Sequence, residues 1–384
     1  MSTLQMDKIK TNLLVQGEQL GLKKIRIIPA EPLADWEKAV NARKQLDPDT
    51  ADYWTKRNLI FDPRGILPEA KSIIAAVCPY RPYPEQFPQN YGSYSAHYTH
   101  YPIARDAMVT LSRILTEQGY KAVVNPPLPI KAIALKSGLG YFGKNGLLHN
   151  EEFGSWMTLH IILTDADLPV DLPGTIYSTD FKDNITDCGN CSLCIKACPT
   201  GAIKTDGTVI LSRCLRHHML SGEIVPDELR EAMGTKILGC EHCQLCCPKN
   251  MKIAPQQGWK DSDEPAVFSI IDIMRNQNSS LKQITDRIAR QVGKNYARAQ
   301  KILTSAVIAA GNTLDPLYIP WLEQTLTHKH IPIRVHSAWA LGRIGGHESL
   351  EILKKALDVV TDSLVLKEIK TAIRRIESRL ASTN

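Results

Sequence analysis

The chain has 384 residues, 43% hydrophobic and 22% charged, which fits two or three globular domains and excludes a disordered or fibrous protein. A net charge of +6 permits an anionic partner such as RNA without demanding one. No apolar run nears the roughly 18 residues of a membrane span, and the opening MSTLQMDKIKTNLL lacks the apolar stretch of an export signal.

Residues 1–180 read as alternating α/β. Thr3–Leu20 is helical by period, Lys24–Ile28 is a short β-rich run, and Pro68–Val77 couples a turn to the buried-strand run SIIAAV. Ala107–Glu117 is an amphipathic helix by pattern, and Met157–Leu163 is a further apolar strand. Proline clusters at Pro79–Pro88 and Pro126–Pro129 mark loops, because the ring fixes φ and removes a donor. Residues 181–255 hold most of the cysteines, with a helix expected from Pro226 to Met233. Asp261–Ser280 reads as a connecting segment, and residues 256–384 are otherwise helical. Ser305–Leu326 and His336–Leu357 superpose at a spacing of 31, pairing Ala309 with Ala340, Gly311 with Gly342 and Leu322 with Leu353. Such a period, with small residues where helices would approach, predicts stacked HEAT-like hairpins.

Nine of the ten cysteines lie between Cys188 and Cys247. Cys188, Cys191, Cys194 and Cys198-Pro199 have the spacing of a bacterial ferredoxin run for a [4Fe–4S] cluster. Cys240, Cys243, Cys246 and Cys247-Pro248 form a second group, and Cys214 stands between. A C-x-x-C run wraps three corners of one cube, and the Cys-Pro cysteine of each group ligates the other cluster. Cluster one then takes Cys188, Cys191, Cys194 and Cys247, while cluster two takes Cys198, Cys240 and Cys243. The fourth ligand of cluster two is Cys214 or Cys246; Cys246 adjoins Cys247, and neighbouring residues seldom reach two cubes, which favours Cys214. Cys78, on an apolar run, is expected to be a small buried hydrophobe. Two clusters in one module imply conduction of single electrons from an external low-potential donor. Nine clustered thiols also place the chain in a reducing cytoplasm.

Ser137–Asn145 reads SGLGYFGKN, in which Gly138, Gly140 and Gly143 have dinucleotide-fingerprint spacing. No clear strand precedes it and no acidic residue follows where the fingerprint needs one, so a turn approaching a large anionic ligand is the better reading.

SGLGYFGKN, the Glu152–Trp156 string EFGSW, the Cys188 run ending in CPTGAI, Arg213-Cys214, Gly239–Leu245 (GCEHCQL) and Ala338–Gly342 (AWALG) together resemble the epoxyqueuosine reductases, in the same order over nearly the whole chain. The resemblance implies a cobalamin-dependent iron–sulfur oxidoreductase related to reductive dehalogenases, acting on epoxyqueuosine in tRNA. It implies an α/β + α architecture: a corrinoid-binding catalytic α/β domain (1–180), a ferredoxin-like double [4Fe–4S] module (181–255) and a helical HEAT-like domain (256–384). It gives Cys214 to cluster two. Arg57, Gly138, Gly140, Gly143, Lys144, Asn145, Gly154 and Ser155 become the cofactor-binding candidates. The family carries acidic groups ahead of the glycine loop, one of them the supposed proton donor; Val123–Lys131 here has no carboxylate. His160-Ile161 stands where the family has Gly-Glu, Leu215–Leu220 replaces a Tyr-Leu-Thr-Ile-Glu run, and Lys249 replaces a tryptophan. The replacement donors to weigh are Tyr98, His100, Tyr101, His160 and His217, with His97 and His218 beside them. These departures leave two alternatives, a paralogous reductase of another small molecule and a non-catalytic electron-transfer or corrinoid-handling protein. The basic residues Arg287, Arg290, Lys294, Arg298, Lys301, Lys367, Lys370, Arg374, Arg375 and Arg379 are candidates to follow a tRNA backbone. The chain is expected to be a monomer with no membrane partner.

Overall fold

The computed structural model describes residues 3–84, 87–171, 188–255, 268–275 and 281–383. Parts of the expected Pro79–Pro88 loop and Asp261–Ser280 connection, and the 180/181 boundary, lie outside them. Contacts divide the chain into two units: residues 1–82, 99–212 and 241–255, and residues 83–98, 213–240 and 256–384.

The elements run α1 (Thr3–Gln19), β1 (Lys23–Pro29), α2 (Ala34–Leu46), α3 (Ala51–Lys56), β2 (Ser72–Pro79), β3 (Ser93–Tyr94), α4 (Ala96–Thr116), β4 (Ala122–Val124) and α5 (Ile130–Lys136). Next come β5 (Tyr141–Phe142), β6 (Leu148–His149), β7 (Met157–Thr164), α6 (Leu193–Ala197), α7 (Leu215–Ser221), α8 (Asp227–Met233), β8 (Lys236–Leu238) and α9 (His242–Leu245). Helices complete the chain: α10 (Ile270–Arg275), α11 (Leu281–Val292), α12 (Ala299–Thr313), α13 (Ile319–Thr325), α14 (Ile331–Ile344), α15 (Gly346–Leu357) and α16 (Ser363–Thr383).

In the first unit, β1, β2, β7 and β4 form one sheet in that order, every neighbouring pair antiparallel. β2 and β7 pair from Ser72↔Thr164 to Pro79↔Met157. Alternate side chains enter two cores. Ile73, Ala75, Val77, Ile161 and Leu163 pack with Ile133 and Leu135 of α5. Ile74, Ala76 and Ile162 pack with Met6, Ile9 and Leu13 of α1 and with Met108, Leu111 and Leu115 of α4. Burial on both faces explains why these strands read as continuous apolar runs despite antiparallel pairing. Helix α4 starts eleven residues before the expected Ala107, because Pro102 and the polar HYTHY string broke the apolar period without breaking the helix.

In the second unit, β3 and β8 pair in parallel, and Tyr94 stacks on Phe268 with ring centroids 4.1 Å apart. The helical repeat is present: α12 packs on α14, and α14 on α16. A Cβ on Gly311 would lie 2.7 Å from the Ala340 Cβ, and one on Gly342 would lie 2.6 Å from the Ala372 Cβ. The 31-residue spacing therefore repeats a helix–helix contact that admits no side chain. Gly342→Val is expected to destabilise the protein by about 1–3 kcal/mol through overpacking, read as a lowered melting temperature. An unchanged melting point would contradict so close an approach.

His336 of α14 is fully buried, and its Nε2 accepts a hydrogen bond from the Val225 N–H at 3.0 Å. Burial and the nearby Arg230 charge push its pKa down to about 3. An unfolded histidine titrates near pH 6.5, so between about pH 6.5 and 3 the unfolded chain binds a proton that the fold refuses. This stabilisation is complete above about pH 6.5 and is lost as the pH falls. Unfolding free energy should therefore drop by about 1.4 kcal/mol per pH unit for this residue. Urea titrations from pH 7 to 5 should show a slope shallower by that amount in His336→Gln; equal slopes would refute it.

Candidate metal centre

Strands β5 and β6 form a hairpin around the turn Gly143–Leu147, closed by Gly143 N–H to Leu147 O at 2.9 Å. A Cβ on Gly143 would lie 2.6 Å from His149 Nε2, and one on Gly140 would collide with the His149 carbonyl. These glycines let the turn close on His149. Lys144 Nζ donates to Gly189 O at 2.6 Å and to Cys191 O at 3.1 Å. Asn145 Nδ2 donates to Cys243 O at 3.2 Å, and its Oδ1 accepts from Leu147 N at 3.2 Å. The GKN tripeptide thus ties one turn to both cysteine loops.

Gly154 (φ +55) and Ser155 lie against the chain that follows the second cysteine group. A Cβ on Gly154 would strike Asn250 Oδ1, which accepts from Ser155 N at 2.7 Å. Asn250 Nδ2 donates to Ser155 Oγ at 2.9 Å and to Gln244 O at 2.8 Å, and Gln244 Nε2 donates to Ser155 Oγ at 3.0 Å. All three side chains are buried. Gln244, Asn250 and His149 escaped the sequence reading; for the first two, their places inside and just after the cysteine motif were the available signal.

Cys188, Cys191, Cys194 and Cys247 line one small cavity with Gly143, Lys144, Asn145, His149, Leu193 and Pro248. The four cysteines expected to share a cube therefore face one space, and Cys246 is absent from its lining. Among the described residues, no three His, Cys, Asp or Glu side chains converge tightly enough to hold a single ion. A cube is larger than an ion, so a four-thiol cavity is the arrangement that fits one. Burial, together with the charges of Cys246, Cys188, Cys247 and Cys191, pushes the Cys194 thiol up to about 11. Four thiolates this crowded need positive charge between them, which ferric and ferrous iron supply.

The cysteines expected at cluster two divide between the units, Cys198 and Cys243 in the first, Cys214 and Cys240 in the second. Burial pushes the Cys198 thiol up, but hydrogen bonds from Thr200, Ala202 and Ile203 outweigh this and hold it below the usual range. The Ala202 N–H reaches its Sγ at 3.3 Å. Within the second unit, Cys214 caps α7 and Cys240 follows Gly239, whose φ of +94 turns the chain against Tyr98 and Ser95. Cys78 is half-buried on β2, and burial raises its thiol pKa.

The proton-donor candidates scatter. Tyr98 is buried in the second unit, where its Oη accepts from Arg216 Nε at 2.9 Å and its ring meets Tyr296. His217, also in that unit, sits beside His218 on α7. In the first unit, His100 stacks on Tyr80 with centroids 5.4 Å apart. Tyr101 and His160 do meet, with Asn125 between them. Asn125 Oδ1 accepts from Ile161 N at 2.9 Å, which turns its Nδ2 toward His160 Nδ1 (2.9 Å) and Tyr101 Oη (3.5 Å). His160 Nδ1 must then accept, leaving Nε2–H to donate to Thr158 Oγ1 at 3.0 Å. Burial and the Arg105 charge push the His160 pKa down to about 3, in keeping with that neutral tautomer. At neutral pH, His160 therefore has no imidazolium proton to give.

The polar atoms of the cofactor-binding candidates go to protein partners. Lys144 and Asn145 hold cysteine loops, Ser155 holds Asn250, and Arg57 donates to Tyr53 Oη at 2.8 Å on α3. Gly138 (φ +69) meets nothing within 4 Å where a Cβ would stand. These contacts occupy the Lys144, Asn145 and Ser155 groups that a corrinoid would meet, whereas the cysteine cavity offers the four thiols that an iron–sulfur cube takes. Of the basic helix residues, Arg287, Arg290, Lys294, Arg298, Lys367, Lys370 and Arg374 are exposed. Arg375 reaches Asp227 at 3.5 Å, and Arg379 donates to Arg343 O at 2.8 Å.

Residues 187–250 match the family model of the 4Fe-4S double cluster binding domain, and residues 297–374 that of HEAT repeats. Over 98% of this chain and 100% of the relative, the sequence is 25% identical to an epoxyqueuosine reductase of Bacillus cereus. An epoxyqueuosine reductase of Vibrio cholerae is 28% identical over 84% of this chain and 88% of its own. The fold is shared with a crystal structure of epoxyqueuosine reductase holding an epoxyqueuosine-modified tRNA-Tyr stem loop, with a TM-score of 0.77 and 22% identity over 97% of this chain and 100% of that one. The resemblance read from the motifs thus extends along nearly the whole chain, and the α/β plus HEAT-like helical architecture is that of the shared fold. No described helix is long and apolar enough to cross a membrane.

Proposed function

We propose that this chain reduces epoxyqueuosine to queuosine in tRNA, drawing electrons through two [4Fe–4S] clusters. The observation that carries this reading is the near-complete alignment with epoxyqueuosine reductases, together with four cysteines facing one cavity. Cluster one is held by Cys188, Cys191, Cys194 and Cys247, and cluster two by Cys198, Cys214, Cys240 and Cys243. The domains are 1–180, 181–255 and 256–384. Removing the epoxide oxygen to leave an alkene takes two electrons and two protons and releases water. The clusters pass electrons singly from an external low-potential donor, so two transfers complete one turnover.

Cobalamin belongs to this reading through the resemblance; when bound it would supply a strongly reducing cobalt centre. The glycine-loop donors of Lys144 and Asn145 are taken up by the cysteine loops. The chain's own residues hold the cysteine loops in register and set the polar surroundings of Asn125, Tyr101 and His160. Within that cluster Tyr101 bears the dissociable proton, since Asn125 is an amide and His160 is neutral. The exposed bases of α11 and α16 are the tRNA-facing residues of this proposal. The protein works as a monomer in the reducing cytoplasm, where cluster thiols persist.

The deciding experiment incubates anaerobically reconstituted protein, a strong reductant and cobalamin with tRNA bearing epoxyqueuosine. Queuosine should appear in the digested nucleosides, and tRNA binding should weaken as salt rises. Protein carrying both clusters and a corrinoid that leaves the epoxide intact would overturn the substrate. Failure to take up any corrinoid, followed by visible absorbance, would overturn the cofactor. A second reading, a paralogous reductase of another small molecule, is favoured by the carboxylate-free stretch around Asn125 and by Ile161, both where the resembled family has acids. Turnover that ignores the tRNA epoxide but consumes reductant with a smaller substrate would select it.

A further inference from the structure

We infer that Lys144 sets the reduction potential of cluster one as well as anchoring its loop; this rests on the proposed ligation by Cys188, Cys191, Cys194 and Cys247. The side chain lines the same cavity as those four cysteines and, among the described residues, is the one lysine or arginine that does. Its ammonium donates to Gly189 O at 2.6 Å and to Cys191 O at 3.1 Å, on the turn that carries two of the four thiols. That turn is itself closed by Cys191 N–H to Cys188 O at 2.9 Å. The lysine is delivered there by Gly143, which packs on His149, and by Asn145, which is tied to Cys243 O.

A four-iron cluster with four thiolates is anionic, and one-electron reduction adds a further negative charge. Potentials of such clusters respond to net charge, hydrogen bonding and solvent exposure. A cation on the wall of the cavity attracts the reduced form more than the oxidised form, so it raises the midpoint and eases electron entry. The effect is large only where water does not screen the pair. Lys144 is half-buried beside Pro248, while Leu193 and Cys191 are exposed, so water screens part of the effect there. The glycine-rich string, read from sequence as a ligand loop, on this view serves the iron–sulfur module instead.

The test is a potentiometric titration of the full-length reconstituted protein, monitored by electron paramagnetic resonance, with iron content measured alongside. In Lys144→Met one of the two midpoints should move to a more negative value while the other stays. Lys144→Arg, which keeps the charge and donors, should hold both midpoints at the wild-type values. If Lys144→Met does not assemble both clusters, Lys144→Gln is read in its place, since it keeps a donor and removes only the charge. Unmoved midpoints in the neutral variant, or equal shifts in the neutral and arginine variants, would overturn the inference. Wild-type protein without two four-iron signals would instead overturn the ligation on which it rests.

Discussion

Cys247→Ser is expected to leave the protein with one four-iron cluster in place of two, while Cys246→Ser keeps both. Cys247 lines the cavity with Cys188, Cys191 and Cys194, and Cys246 does not. The contrast is sharp because the two residues are neighbours: both thiols feel burial, and both carry electrostatic influence at Cys194. Proximity alone thus does not separate them. What separates them is direction, since Cys246 ends the short helix α9 in helical conformation whereas Cys247 turns extended (φ −80, ψ 121) ahead of Pro248. Reductive activity should fall in Cys247→Ser by more than the ~10–100-fold lost when a group behind a metal ligand is removed. Cys246→Ser should stay within a few-fold of wild type. Iron analysis and the cluster spectrum decide the matter, and the reverse pattern would hand the fourth position to Cys246.

Arg230→Met should destabilise the second unit by about 3–5 kcal/mol, the range for removing one member of a buried ion pair. The Arg230 side chain is 4% exposed and lies 3.0 Å from Glu368, itself 14% exposed. Its Nε donates to Val225 O at 2.8 Å, and its guanidinium lies over Trp339, 5.8 Å from the ring centroid. One side chain therefore joins α8, α14 and α16. Removing it takes the Arg230 counter-charge from the half-buried Glu368 carboxylate and from Asp227, 3.4 Å away. The double variant Arg230→Met/Glu368→Leu should recover most of the loss, because a well-packed apolar pair often matches or exceeds a buried ion pair. Urea unfolding of the two variants is the measurement. A single variant within about 1 kcal/mol of wild type would show the pair to be marginal, as exposed pairs are.

The same residues mark the limits of sequence reading. Glu368 lies among the basic residues of α16; in the fold it is the partner of a buried arginine 138 positions away. Arg375 and Arg379, counted as bases for a nucleic-acid backbone, reach Asp227 and the Arg343 carbonyl. His160, a candidate acid, proves a buried neutral acceptor. None of these partners is near in sequence, so local pattern carried no sign of them. Lys144 and Asn145 were read as cofactor-binding candidates, and their donors reach the cysteine loops.

The sequence by itself determined the cysteine groups, the strands SIIAAV and MTLHIILT, and the 31-residue helical period. Each depends on spacing along the chain: thiols three apart wrap one cube, apolar runs fill a two-faced sheet, and small residues recur where helices touch. Only the tertiary structure decided what stands opposite each of these. It placed Cys247 rather than Cys246 at the cavity, folded the glycine string back on His149, and assembled Asn125, Tyr101 and His160 from three separate elements. The physical reason is that hydrogen bonding and desolvation act between groups close in space. A donor's role is set by the acceptor the fold brings to it, and a titratable group's charge by how completely the fold removes water.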